Sequence, residues 1–158
     1  MKLWNKGYTL DKIVEDYTVG QDYILDQRLV SYDCKASIAH AEMLNKIDIL
    51  TDKEKNQLIK ELNNIIELHE KGKFEIKKSD EDCHTAIENY LTMKLGEAGE
   101  KIHTARSRND QVLTALRLYY RDQVDEITDL IKENIAAVES FIEKFGEIEL
   151  PGYTHTRK

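Results

Sequence analysis

The sequence predicts an all-α protein, with a small N-terminal helical domain followed by a long helix that belongs to a larger helical bundle. Pro151 is the only proline among 158 residues, and proline is the residue that helix interiors tolerate least. Apolar residues recur every three or four positions through most of the chain, as they do on one face of a helix. The longest such pattern begins after position 108, so we expect a first domain over 1–108 and a second one over 109–158.

The first helix is expected from 22 to about 45, after a stretch of mixed composition that is irregular in part. Its apolar residues step by three or four: Leu25, Leu29, Tyr32, Ala36, Ala39 and Met43. Thr51 followed by Glu54 is the capping box that opens the next helix. Positions 73–78 alternate weakly and suit a connector, and the acidic stretch 79–82 suits the start of a third helix that runs to about Leu95.

The last helical pattern is the longest and is followed by Gly146. It passes through these residues: Leu113, Leu116, Tyr120, Val124, Ile127, Ile131, Ile135, Val138, Ile142 and Phe145. Further apolar residues widen its face, so this helix has more apolar surface than the preceding small domain can cover. We therefore expect it to pack against other long helices, in further sequence or in partner subunits.

Composition excludes several classes of protein. The chain has 30 acidic and 23 basic residues and a formal charge of −7, whereas nucleic-acid binding needs a positive surface. No apolar run approaches the roughly 20 residues of a membrane span. Cys34 and Cys83 fit no metal-ligand spacing. A cytoplasmic protein without a metal site, a nucleic-acid partner or a membrane is therefore expected.

Three polar clusters are candidates for function, and each has a simpler interpretation. The first cluster comprises residues 82–85 and Glu88. Its simpler interpretation is a capped helix start with a solvated histidine. The cluster 103–111 resembles an anion-binding loop at a helix N-terminus, where free N–H groups and arginine side chains attract carboxylates; otherwise Asn109 is only a helix cap. The cluster 152–156 contains a histidine between two hydroxyl residues, which suits an acid or a base, but it is otherwise a polar loop.

Together and in order, these clusters resemble the argininosuccinate lyase family. The matching segments are 2–4, 80–88, 103–111 and 151–156, and the loop string Arg-Ser-Arg-Asn-Asp-Gln is specific to this branch. The related fumarase, aspartase and adenylosuccinate lyase branches share the architecture but not that string. The resemblance makes 109–158 the start of the central helical bundle of this family.

The resemblance implies a reversible elimination that splits argininosuccinate into arginine and fumarate, without a metal or an organic cofactor. It assigns substrate binding to six positions: His84, Thr85, Ser107, Arg108, Asn109 and Thr154. It assigns the catalytic histidine, as acid, base or charge-stabilising partner, to His155. Such a reaction needs donors aimed at a carboxylate that gains further charge.

The resemblance also implies a homotetramer whose sites combine different subunits. The family's proteins are longer and carry a catalytic loop beyond these residues, so we expect residues 1–158 alone to be inactive. Two alternatives stay open: another fumarate-releasing lyase of the superfamily, and a non-catalytic, crystallin-like helical assembly protein. Ala105 stands where most relatives have glycine, so we expect the loop backbone there to avoid positive φ.

Overall fold

A computed structural model describes residues 11–149, 152, 153 and 155. All regular structure in these residues is helical, without a strand, which confirms the predicted all-α class. The α-helices are α1 (Lys12–Val19), α2 (Asp22–Leu25), α3 (Val30–Lys46), α4 (Asp52–Glu70), α5 (Cys83–Leu95), α6 (Glu97–Glu100) and α7 (Arg108–Phe145). The chain divides after Tyr119 into two compact units. The domain boundary expected after position 108 stays a prediction.

The helix predicted from 22 to 45 is interrupted. Between α2 and α3 the chain tightens into a 3₁₀ segment, Asp26–Leu29. There the side chain of Gln27 acts as a clamp: Nε2 donates to the carbonyl of Phe74 at 2.6 Å, and Oε1 accepts from the N–H of Ile76 at 3.2 Å. The connector 73–78 has no strand partner in the described chain, and this one side chain satisfies two of its backbone groups.

The predicted capping box at the start of α4 is confirmed. The hydroxyl of Thr51 accepts from the N–H of Glu54 at 3.3 Å, and a carboxylate oxygen of Glu54 accepts from the N–H of Thr51 at 2.8 Å. The second carboxylate oxygen lies 2.6 Å from the ammonium nitrogen of Lys101. The Lys101 ammonium group, followed by the N–H and hydroxyl of Thr51, lowers the pKa of Glu54 to about 2. The cap thus also joins α4 to the segment that precedes α7.

Glu54→Gln is expected to make stability less dependent on pH. The pKa of Glu54 is depressed in the folded chain, so its stabilising effect is full above 4.5, its ordinary pKa, and is lost as pH falls towards about 2. The difference between the urea midpoints of the two proteins should therefore be largest near neutral pH and shrink over that window. Glu67→Gln, in a pair whose glutamate is 65 % exposed, is the control and should shift the midpoint little. A Glu54→Gln difference that is constant with pH would contradict this explanation.

The core of the first unit lies among α3, α4 and α5. Its largest side chains that are at most 2 % exposed include Leu44, Leu50, Leu58, Leu62, Ile65, Ile87, Leu91 and Ile102. The short helix α6 packs directly on α5. The backbones are so close at Gly99 that an added Cβ would come within 2.4 Å of the carbonyl oxygen of Leu91. Leu116 and Tyr119, in the first part of α7, are partly buried against the same core. These contacts hold the starts of α5 and α7 within one packed unit.

The second unit contains the remainder of α7, and its apolar side chains are exposed. The large apolar residues between 120 and 148 are 41–64 % exposed. They follow the predicted helical spacing, and the ring centroids of Phe141 and Phe145 lie 4.9 Å apart. Charged residues interrupt this surface, and no helix in the described residues is long and apolar enough to cross a membrane. An exposed apolar face of this extent is typical of a surface that other helices cover.

Candidate active site

The start of α5 is held by two carboxylates from different parts of the chain. Asp82 is the N-cap and accepts from the N–H of Thr85 at 2.7 Å. Asp26 accepts from the N–H of Cys83 at 3.3 Å, and burial raises the pKa of this carboxyl group. Two of the free N–H groups of the helix start are thereby satisfied. The helix start is consequently well fixed, and His84 and Thr85 on it are 2 % and 9 % exposed.

A buried polar network joins α5 to α3 and α7. The carboxylate of Asp33 is 0 % exposed. One of its oxygens lies 3.2 Å from Nδ1 of His84, in a geometry that is not a well-directed hydrogen bond. Nε2 of Gln111 donates to both oxygens, at 2.9 and 3.0 Å. One carboxylate therefore connects the His84 region to the first turn of α7.

The loop before α7 begins with a tight turn. The N–H of Arg106 donates to the carbonyl of His103 at 3.3 Å. Thr104 has φ −58° and ψ 132°, and Ala105 has φ +57°. These values describe a type II β-turn, whose third position requires positive φ. The expectation that Ala105 avoids positive φ was therefore wrong: the hydrogen bond that closes the turn imposes a left-handed backbone on a residue with a Cβ.

Ala105→Gly is expected to raise the free energy of unfolding by about 0.5–1 kcal/mol, because a left-handed backbone costs an ordinary residue about 1–2 kcal/mol and glycine loses part of this gain to chain entropy. Urea unfolding of the full-length protein measures the difference. Ala39→Gly, at an exposed position inside α3, is the control and should lower stability by about 1 kcal/mol. A loss of stability in Ala105→Gly would contradict the inference that the backbone at Ala105 is strained.

Arg106 points into the first unit and supports the loop. Its Nη1 donates to the hydroxyl of Ser37 at 3.0 Å, and burial lowers its pKa. Beside it, Nε2 of His40 lies 3.0 Å from the carbonyl of Thr104. Burial lowers the pKa of His40, which favours a neutral ring that donates to this carbonyl. These residues support the backbone of the turn.

The next residues are the predicted donors. The hydroxyl of Ser107 accepts from the N–H of Asn109 at 3.2 Å and caps α7, so Asn109 is not the cap. The guanidinium of Arg108 faces Glu88, with Nη2 3.3 Å from Oε2 and Nη1 3.3 Å from Oε1. Nδ1 of His103 lies 3.4 Å from the same carboxylate. Ser107 and Asn109 are exposed, so a helix N-terminus with two exposed polar side chains and an anchored arginine is accessible to an anion.

A cleft of about 410 Å³ opens between α3 and the start of α7. Its lining includes Arg106 and Gln111, but none of the six positions expected to bind substrate. It therefore lies beside the predicted site and does not form it.

The metal-ligating potential of this region is small. Asp26, Cys83 and His84 place possible ligand atoms within 4.8 Å of one another. Metal binding requires a thiolate, whereas burial, followed by the nearby Asp33 charge, raises the pKa of Cys83. The Asp26 carboxylate already accepts from the Cys83 N–H. The arrangement is accounted for as a helix cap above a buried thiol.

The last predicted cluster belongs to the second unit. His155 is exposed and has φ +50°. Thr154 lies outside the described residues. Within the first unit, His84 belongs to the buried network of Asp33 and Gln111, and Arg108 pairs with Glu88. His155 lies in the second unit. The assignment of these residues to substrate binding and catalysis stays a prediction.

The site also contains residues that sequence reasoning missed. Asp33 and Ser37 fall at core positions of α3, among Val30, Ala41 and Leu44. A carboxylate on the buried stripe of an amphipathic helix is itself a signal, because such a group is rarely buried without a partner. Asp33 and Ser37 are spaced so that they share the helix face of the buried apolar residues, and this spacing would have identified both as buried polar residues.

Comparison with known proteins identifies the class. The described residues are all-α, and a family model described as Lyase matches residues 6–158. The chain belongs to this lyase family.

Curated relatives are argininosuccinate lyases. That of Thermotoga neapolitana is 58 % identical over 157 residues, which are 99 % of this chain and 39 % of the relative. That of Sorangium cellulosum is 41 % identical over 158 residues, 100 % of this chain and 37 % of the relative. The resemblance inferred from the motifs is thereby confirmed, and the chain spans less than two-fifths of these relatives.

Proposed function

We propose that the whole protein is an argininosuccinate lyase, which reversibly splits argininosuccinate into arginine and fumarate. The observation that carries this proposal is 58 % identity to a protein of that name over 99 % of the chain. The anion-binding helix start at Ser107–Asn109 supports it, because both ends of the released fumarate are carboxylates. The other superfamily lyases and the non-catalytic assembly protein are not favoured, since the similar relatives bear the name argininosuccinate lyase.

The reaction breaks the bond between a guanidinium nitrogen and a carbon of the succinyl group. A base removes a proton from the adjacent carbon, the electron pair forms the double bond of fumarate, and the departing nitrogen receives a proton. The carbanion places extra charge on a neighbouring carboxylate. Donors that are already in position stabilise this charge without reorganisation. Ser107, Arg108 and Asn109 suit this role, with Thr154 and the His84–Thr85 pair as further carboxylate contacts.

His155 is proposed to move or stabilise a proton in this sequence. An imidazole changes its charge near neutral pH and can act as an acid or as a base. The exposed position of His155 leaves it accessible to substrate.

The whole protein is further proposed to be a cytoplasmic homotetramer. The exposed apolar face between 120 and 148 supports assembly, because helices with such faces pack into bundles. The free, buried thiols of Cys34 and Cys83 are compatible with a reducing compartment.

The activity is tested by offering the full-length protein a panel of substrates. Fumarate release is followed by ultraviolet absorbance with argininosuccinate, adenylosuccinate, aspartate and malate. We expect turnover with argininosuccinate alone. The proposal is contradicted if the protein turns over another substrate of the panel faster than argininosuccinate. It is also contradicted if the protein turns over none of them.

A further inference from the structure

We propose that Asp33 is a positioning residue of the elimination site, which holds the imidazole of His84 and couples it to the start of α7. The inference rests on the proposed function, because His84 is expected to contact the substrate there. Asp33 would touch no substrate itself. It would act through the histidine and the helix that it joins.

The burial of Asp33 is the first argument. Its side chain is 0 % exposed, and among the described residues it has no lysine or arginine within ion-pair distance. Removing a carboxylate from water is costly, and an apolar side chain of similar size often stabilises a core equally well or better. Stability therefore does not account for a carboxylate at this position of α3.

The contacts of Asp33 are the second argument. Oδ1 lies 3.2 Å from Nδ1 of His84, which is itself 2 % exposed. A carboxylate at this nitrogen favours a proton on Nδ1 and leaves Nε2 as the ring nitrogen directed elsewhere. Histidines that bind metals are oriented by carboxylates in the same way. The charge of Asp33 thus favours the His84 tautomer that carries its proton on Nδ1, through a 3.2 Å contact that is not a well-directed hydrogen bond.

Gln111 supplies the third argument. Its Nε2 donates to both oxygens of Asp33, and its side chain is 2 % exposed. Gln111 lies in the first turn of α7, three residues after Arg108. One carboxylate therefore fixes His84 relative to the helix start that carries the predicted donors. Two regions far apart in sequence share this one anchor.

A double-mutant cycle in the full-length protein tests the inference. Asp33→Asn is expected to lower kcat/KM for argininosuccinate by about 10-fold or more, the scale for a residue that orients a ligand-binding histidine. In a His84→Asn background the same change should alter kcat/KM by less than about 2-fold, because residues that act through one another are not additive. A full additional loss in the double variant overturns the inference. So does an unchanged rate in Asp33→Asn.

Thermal unfolding of the same four proteins separates this inference from the proposed function. If the wild-type protein does not cleave argininosuccinate, the proposed function is wrong, but the Asp33–His84 contact can still be tested. The contact is supported if the changes in unfolding midpoint caused by the two single substitutions do not add in the double variant, and it is overturned if they do add. Cys34→Ala, at the next and equally buried position of α3, is the control and should keep kcat/KM within about 2-fold because it leaves the carboxylate in place. If Asp33→Asn does not fold, Asp33→Glu takes its place in the cycle.

Discussion

Replacing His155 with asparagine in the full-length protein is expected to lower kcat for argininosuccinate cleavage by about 100-fold or more, the scale of a lost acid or base. Asparagine suits the test because His155 has φ +50°, and asparagine is among the few residues that tolerate a left-handed backbone. The change therefore removes the imidazole and leaves the turn intact. Steady-state kinetics over a range of pH measure the effect, together with the loss of the pH dependence that the imidazole confers.

His69→Asn is the matched control for this experiment. His69 lies in the last turn of α4 and is half-buried, outside every cluster assigned to the site. Its replacement should leave kcat within about 2-fold of the wild-type value, since the side chain makes no hydrogen-bond or ion-pair contact with the residues assigned to the reaction in the described structure. A near-normal kcat in His155→Asn would refute the catalytic role of His155 and would leave the lyase family assignment intact.

Replacing Arg108 with methionine is expected to lower kcat/KM by about 100-fold or more, the scale for one lost donor to a developing anion. The guanidinium is held by Glu88 through two 3.3 Å contacts and is 26 % exposed, so it is both anchored and accessible. Arg108→Lys keeps the charge but loses the forked geometry. Its kcat/KM should lie between those of the wild-type protein and Arg108→Met.

Arg117→Met separates this effect from a general loss of positive charge. Arg117 is exposed on the same helix, and its replacement should leave kcat/KM within about 2-fold, as expected of a screened surface charge. Thermal unfolding shows whether Arg108→Met damages the fold, because Glu88 then keeps only His103 among the partners found in the described residues. An Arg108→Met protein with nearly normal kcat/KM would remove Arg108 from the site.

Much of the secondary structure followed from local patterns. The cap at Thr51 and Glu54, the acidic start of α5 and the long apolar spacing of α7 are interactions within a few residues of sequence. Such signals do not depend on the rest of the fold. By contrast, α1 was expected to be irregular in part, and the first predicted helix is interrupted where Gln27 is tied to a connector almost 50 residues away in sequence.

The candidate site was predicted less completely than the helices. Ser107, Arg108 and Asn109 were predicted as substrate contacts because they are contiguous at a helix start and match the family motif, and this role stays a prediction. Asp33 was not predicted, because its significance depends on His84 and Gln111, which come to it from two other helices. The backbone of Ala105 was predicted wrongly for a related reason: residue type disfavours positive φ, but the hydrogen bond between His103 and Arg106 requires it.

The sequence by itself determined the helical class, the caps, the exposed apolar face of α7 and the lyase family, because each depends on residues at fixed short spacings or on a motif read in order. Only the tertiary structure decided that a buried carboxylate at Asp33 joins His84 to α7, and that Glu88 anchors Arg108. These pairs are 51 and 20 residues apart in the chain. Their contacts exist only after helix packing has brought these groups together and has excluded water from around them.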